Sequence, residues 1–186
     1  MSSSFLAAIT FVIGTVARLY LLVLMIRLLL PWFPVNYRNP LTQAILSLTS
    51  PLVVPLRRLI PPIGKLDTAT VVVAYAFQYL TIFVILLING ASASILAIAS
   101  TSVIELVTLC IMLFVFAIFI RVILSWLGGG GYNPAAAMIT ALTEPILKPF
   151  RRFIPPMGGL DLSPLAAMIL LMALNILIRG LAPIVV

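Results

Sequence analysis

Thr49-Ser50-Pro51-Leu52-Val53-Val54-Pro55-Leu56-Arg57-Arg58-Leu59-Ile60-Pro61-Pro62 and Thr143-Glu144-Pro145-Ile146-Leu147-Lys148-Pro149-Phe150-Arg151-Arg152-Phe153-Ile154-Pro155-Pro156 are two copies of one stretch. Each sets out a Thr, two prolines, an Arg pair and Ile-Pro-Pro in the same order. The offset of 94 between the copies also separates Arg27 from Arg121, Trp32 from Trp126, Asn39 from Asn133, Gly64 from Gly158 and Asp67 from Asp161. The chain is therefore a tandem duplication without insertions, read as a first unit over 1–90 and a second over 91–186.

Outside the doubled stretch the chain is overwhelmingly apolar. Its 186 residues are 63% hydrophobic and 8% charged, where a soluble domain carries roughly 45–50% and about 25%. The mean hydropathy of +1.30 places it in a bilayer. Four apolar runs reach the ~20 residues needed to cross the hydrocarbon core, at about 8–30, 69–89, 103–127 and 164–183. The small-residue segment from Ala91 to Ser102 reads as a short external connection after the Asn89-Gly90 stop. The two longer connections hold Arg38, Arg57, Arg58 and Lys65 in one case and Lys148, Arg151 and Arg152 in the other. The positive-inside rule puts both on the cytoplasmic side and both termini outward. With two spans per unit, the copies enter the membrane in the same direction, as parallel rather than inverted repeats.

Within each connection the pattern is neither soluble nor spanning. Asn39-Pro40 and Asn133-Pro134 read as helix N-caps with Pro in the first turn. They open the amphipathic elements 40–62 and 134–156, with Leu41, Ile45 and Leu48 or Met138, Ile139 and Leu142 on one face. Pro51 and Pro55 conflict with a regular helix, because Pro55 cannot donate to the carbonyl of Pro51. The helix is expected to stop near Thr49–Pro51 and Thr143–Pro145 and to give way to a kinked, half-helical piece, making an interfacial helical hairpin. Lying in the headgroup layer satisfies its leucines and its arginines together; a shallow re-entrant hairpin is the competing geometry. Gly128–Gly131 has no Lys-Ser/Thr after it and reads as a hinge, not a phosphate loop. The predicted fold class is thus an all-α membrane protein of four transmembrane helices in two tandem parallel repeats.

An Arg–Trp span end, Asn-Pro, Thr-x-Pro-x-x-x-Pro-x-Arg-Arg-x-Ile-Pro-Pro, then Gly and Asp, all present twice, resembles the YggT family of small integral membrane proteins. The likeness runs from about Arg18 to Leu177. It implies two tandem membrane units, and links to osmotic or ion stress tolerance, to cell-division gene neighbourhoods and, in plastids, to assembly of a cytochrome complex. Ser50 stands where the second copy has Glu144, and Pro31 where it has Ser125. A role for Glu144 therefore belongs to the second unit alone.

The charged residues are few enough to take singly. Arg57, Arg58, Lys148, Arg151 and Arg152 either anchor the topology or bind phosphate-bearing lipid or an acidic partner, phosphate suiting Arg forks. Arg27 and Arg121 end spans one and three, and Asp67 and Asp161 stand just before spans two and four. Ion pairs Arg27–Asp67 and Arg121–Asp161, or the same pairs swapped between units, would pin the amphipathic elements to the bundle. Arg18 and Glu105 have no charged counterparts at the 94 offset, matching Met112 and Phe11. Charges inside a span mark function by default; these two either pair or snorkel separately. Gln78, Asn89 and Asn175 are candidates for hydrogen bonds between helices.

Enzyme chemistry has little to work with. The chain has no His, four carboxylates and the lone Cys110, so neither a His base, a Cys-based metal cluster nor an internal disulfide can be assembled. No cofactor is expected. Met1-Ser2-Ser3-Ser4 lacks the basic start of a secretory signal, and the first apolar run is expected to stay in the protein. Nucleic acid requires a basic solvated face, whereas the net charge of +7 sits between apolar runs; anionic lipid headgroups suit it better. The expected function is a non-enzymatic scaffold or assembly factor of the bacterial inner membrane, bound to phospholipid, a membrane-protein partner or its own copies. The alternative is a subunit of an ion channel or transporter.

Overall fold

The computed structural model describes residues 3–127, 133–154 and 161–184, and these form six α-helices. They are α1 (Ser3–Leu29), continued by a 3-10 turn at Leu30–Trp32, α2 (Pro40–Arg57), α3 (Thr68–Ile88), α4 (Ile95–Leu127), α5 (Pro134–Phe153) and α6 (Ser163–Arg179). The Gly128–Gly131 hinge, Pro155-Pro156 and Gly158 lie outside the described residues. Three stretches, Ser4–Trp32, Thr68–Ile88 and Ile95–Trp126, are long and apolar enough to cross a membrane. The fourth apolar helix, α6, has 17 residues, about 25 Å at ~1.5 Å per residue against a hydrocarbon core of about 30 Å. It ends at Arg179, with Gly180 in the C-cap position, rather than at Pro183.

Helices α4, α2 and α5 also depart from the sequence reading. Helix α4 starts at Ile95, well before Val103, so the connection between α3 and α4 is only 89–94. The Ser94 hydroxyl accepts from Ala97 N at 3.1 Å and caps the helix. The serines that read as loop residues turn inward on the helix itself: Ser100 and Ser102 donate to the carbonyls of Leu96 and Ile98 at 2.9 and 2.7 Å. Their polarity is thus satisfied without a loop.

The expected break at Thr49–Pro51 and Thr143–Pro145 is also absent. Helices α2 and α5 run unbroken through Pro51 and Pro55 and through Pro145 and Pro149, so among the described residues each unit has one helix here and not a hairpin of two. The reason lies in where the damage falls. Pro51 and Pro55 leave the carbonyls of Ser47 and Pro51 without their helical donors, and both prolines are on the exposed side of α2, where the freed carbonyls are open to donors from outside the protein. The chain then turns back to α3 through Gly64, whose φ of +60° needs a residue without a side chain.

Helix α1 packs on α3 and α4 on α6; α2 sits against α1 and α3, and α5 against α4 and α6. Helices α2 and α5 touch each other, as do α1 and α4. One contact has no equal: α3 packs on α4, whereas among the described residues α6 makes no comparable contact with α1. The core follows the duplication. Leu24 and Val53 are fully buried in the first unit, and Ile118 and Leu147 at the matching positions in the second. Ala69 and Ser163, also a matched pair, are small and fully buried. A third cluster of Leu30, Val35, Ile45, Met138 and Leu142 joins α2 to α5.

Leu147→Ala is expected to lower unfolding stability by about 2–5 kcal/mol, the range for emptying a buried leucine site. Leu165→Ala, on the exposed flank of α6, is expected to change it by less than about 0.5 kcal/mol. Thermal unfolding of the detergent-solubilised protein checks both; equal losses would contradict the packing described.

Candidate functional site

The site is built where α2 and α5 meet the ends of the long helices. Asn39 starts α2 by accepting from Leu41 N at 2.9 Å, which leaves its amide free to donate to the Pro134 carbonyl at 2.7 Å and tie α2 to the start of α5. Asn133 caps α5 in the same way, accepting from Ala135 N and Ala136 N at 2.9 and 3.3 Å. Helical periodicity then carries Thr49 and Thr143 to the bundle side, where both are fully buried.

In the first unit the Thr49 hydroxyl donates to the Ile45 carbonyl at 2.6 Å and accepts from Arg27 Nη1 at 2.7 Å. Arg27 Nη1 also reaches the Leu46 carbonyl at 3.2 Å. Behind it, Arg27 Nε lies 3.7 Å from Asp67 Oδ2, an ion pair in which that nitrogen finds no hydrogen-bond acceptor among the described residues. Asp67 takes its hydrogen bonds elsewhere: Arg57 Nη2 donates at 2.6 Å and Thr70 Oγ1 at 2.7 Å. The side chains of Asp67 and Arg27 are each 4% exposed, whereas Arg57 reaches in from outside with 45% of its side chain exposed. Two arginines therefore clamp one buried acid, locking α1, α2 and the start of α3 together.

The second unit uses the same parts in a different order. Arg121 Nη1 donates to Thr143 Oγ1 at 3.0 Å, repeating the Arg27–Thr49 contact, but its other amine goes to Glu144. Arg151 donates to Glu144 Oε1 at 2.7 Å and to Asp161 Oδ2 at 2.9 Å. Arg121 and Asp161 are thus not direct partners; Glu144, one residue beyond Thr143 and absent from the first unit, takes Arg121, and Asp161 is left to Arg151. This clamp is wetter, with Glu144 and Asp161 43% and 34% exposed.

Burial works to raise the Asp67 carboxyl, but the Arg57 guanidinium and the Thr70 hydroxyl outweigh it and hold the group below the usual carboxylate range. Glu144 is lowered chiefly by the hydrogen bond from Arg121. For Asp161, burial opposes and the hydrogen bonds from Ser163 and Arg151 prevail, again lowering it. Arg151 is raised: burial pulls down, while Asp161 and Glu144 more than compensate.

The clamps divide the basic residues into two sets. Arg57 and Arg151, read from sequence with the lipid-binding candidates, are committed to carboxylates. Arg58, Lys148 and Arg152 are exposed and have no carboxylate partner among the described residues. Sequence reasoning missed the two threonines, although each stands 22 residues after its arginine in both copies. It also missed the Arg57–Asp67 and Arg151–Asp161 spacing of 10 residues. Away from the clamps, Arg18 Nη2 meets Glu105 Oε2 at 3.2 Å, linking α1 to α4, with Arg18 59% and Glu105 9% exposed. Asn175 donates to the Thr108 carbonyl at 3.1 Å, between α6 and α4. Asn89 bonds within its own helix, to Ile85. Gln78 lines a cavity of about 670 Å³ beside α1.

Asp67→Asn leaves Arg27 buried without a counter-charge, a loss of about 3–5 kcal/mol for a broken buried pair. Glu144→Gln, in the exposed clamp, is expected to cost less than about 1 kcal/mol. Thermal unfolding in detergent distinguishes them, and equal losses would contradict the difference in burial. Carboxyls lowered in the folded state contribute stability that is fully present above their unfolded values, about 3.9–4.3, and lost as pH falls through the lower folded values. Unfolding temperature is expected to be flat from pH 8 to 5 and to drop below about pH 4, with a shallower drop in Asp67→Asn; an unchanged drop in that variant would count against the clamp.

Residues 6–88 and 100–182 each match the family described as CCB3/YggT. An uncharacterised protein of Pseudomonas aeruginosa is 38% identical over 92% of this chain and 88% of its own length. The Escherichia coli K12 protein YggT, also described as uncharacterised, is 33% identical over 90% of this chain and 87% of its own length. A chloroplastic YlmG homologue of Arabidopsis thaliana is 43% identical over 29% of this chain and 21% of its own. No solved structure matches the chain. Two tandem family matches over helices of spanning length make the chain a member of the CCB3/YggT family of membrane proteins.

Proposed function

We propose that the chain is a non-enzymatic scaffold of the bacterial inner membrane that holds anionic phospholipid headgroups, and through them a membrane-protein partner, on its cytoplasmic face. It crosses four times as two parallel repeats, 1–90 and 91–186, with both termini outward. Helix α6 completes its crossing by local thinning of the bilayer, a modest cost for a few ångströms of mismatch. Helices α2 and α5 lie in the headgroup layer between the spans of each repeat. The role extends to osmotic or ion stress tolerance through the lipid or partner so held.

One observation carries this reading: the clamps use up Arg57 and Arg151 and leave Arg58, Lys148 and Arg152 exposed beside exposed Leu41, Leu48, Leu52, Leu59 and Phe153. Leucines in such number are too apolar for water, and the guanidiniums are too charged for the hydrocarbon. An anionic headgroup layer offers phosphate to one and acyl chain to the other.

At about 1 kcal/mol per basic residue near an anionic surface, replacing Arg58, Lys148 and Arg152 together with Gln is expected to weaken enrichment of phosphatidylglycerol around the reconstituted protein by on the order of a hundredfold. Growth under osmotic upshift is expected to fall with it. Unchanged lipid enrichment with the protein still inserted would overturn the proposal.

A further inference from the structure

The one contact that the duplication does not repeat leaves an opening. Where α3 covers α4, nothing comparable brings α6 onto α1, and the result is a groove of about 720 Å³ bordered by α1, α4, α5 and α6. That size falls within the roughly 300–1,000 Å³ of small-molecule sites. Its walls are apolar and pliable, with Leu22, Met112 and Phe116 along the length, and its rim carries Arg18, Glu105 and Arg179.

The rim charges do not balance among the described residues. Arg18 is 59% exposed and gives one of its hydrogen bonds to Glu105, whereas a guanidinium has five N–H donors. Arg179 is exposed and meets no carboxylate among the described residues. Two arginines against one glutamate leave the groove one positive charge in excess.

We propose that the groove binds one anionic phospholipid, its acyl chain along Leu22, Met112 and Phe116 and its phosphate on Arg179 and the spare donors of Arg18. A single net negative charge on the lipid cancels the excess, which a zwitterionic lipid does not. The exposed guanidinium of Arg18 gains acceptors beyond the single one that Glu105 supplies. This site is separate from the exposed basic residues of α2 and α5.

The test is native mass spectrometry of the full chain released from detergent with phosphatidylglycerol or phosphatidylcholine added. One phosphatidylglycerol is expected to remain bound, with phosphatidylcholine, whose quaternary ammonium adds a cation beside the two arginines, retained at least about tenfold less. Arg179→Gln and Met112→Trp, which removes the charge or fills the groove from an exposed position, are expected each to weaken it about tenfold at unchanged unfolding temperature. Glu105→Gln raises the excess charge and is expected to tighten it. The triple Gln variant at Arg58, Lys148 and Arg152 is expected to keep this one lipid, which separates the two sites. Equal retention of both lipids, retention by Arg179→Gln and Met112→Trp, or a dimer that Met112→Trp dissolves would overturn the proposal, the last by showing a second copy in the groove.

Discussion

The fold depends on a carboxylate held between two guanidiniums at the foot of the bundle. Taking Asp67 and Arg27 out of water costs several kcal/mol each, and their attraction repays this only where geometry and further hydrogen bonds are good. Here Arg57, Thr70, Thr49 and the Leu46 carbonyl supply those bonds. The return lies in placement. Between helices in lipid there is little hydrophobic drive to associate, since the tails are as apolar as leucine. Directional contacts therefore decide where α2 seats on α1 and α3, and the Val53–Leu24 region packs once that seat is set.

The second unit shows what happens when the lock is rearranged. Glu144 adds a carboxylate at the place of Ser50, so two acids and two arginines share a more exposed cluster. Exposed pairs contribute little because water and salt screen them. Helix α5 is consequently held more by Leu147 and Leu142 in the core than by its charges. The open groove is bordered by this same α5 and by α6, the elements of the less tightly locked unit. Divergence after duplication has thus left one repeat as a braced half and the other as the half with room beside it.

Much of this architecture is legible as periodicity and offset. The long apolar runs mark helices because bilayer thickness sets their length, and the doubled motif marks equivalent elements whatever their conformation. The Asn-Pro helix starts were readable because an N-cap is a local device. The unbroken α2 was not: the cost of Pro51 and Pro55 is local, but its compensation depends on which side of the helix faces outward, a tertiary fact. The partners of Arg121 were hidden for a related reason. Glu144 was visible as a difference between the copies, yet its reach to both Arg121 and Arg151 depends on how α5 is turned against α4. The start of α4 at Ile95 carried a signal, Ser94 before a run of small helix formers, that the abundance of serine obscured.

The Arg18–Glu105 pair draws out a consequence of fusing two units in one chain. Arg18 lies on α1 and Glu105 on α4, helices that occupy equivalent places in the two halves, and the residues matching them are Met112 and Phe11. Two identical single-unit chains could not hold this arrangement: each would carry both charges or neither, giving two pairs or none where α1 meets its equivalent. A fused chain is free to place one cation on one helix and one anion on the other. It then pays for a single intramembrane pair, and the remaining apolar residues at the matching positions, Met112 and Phe11, are left to line the cavities on either side.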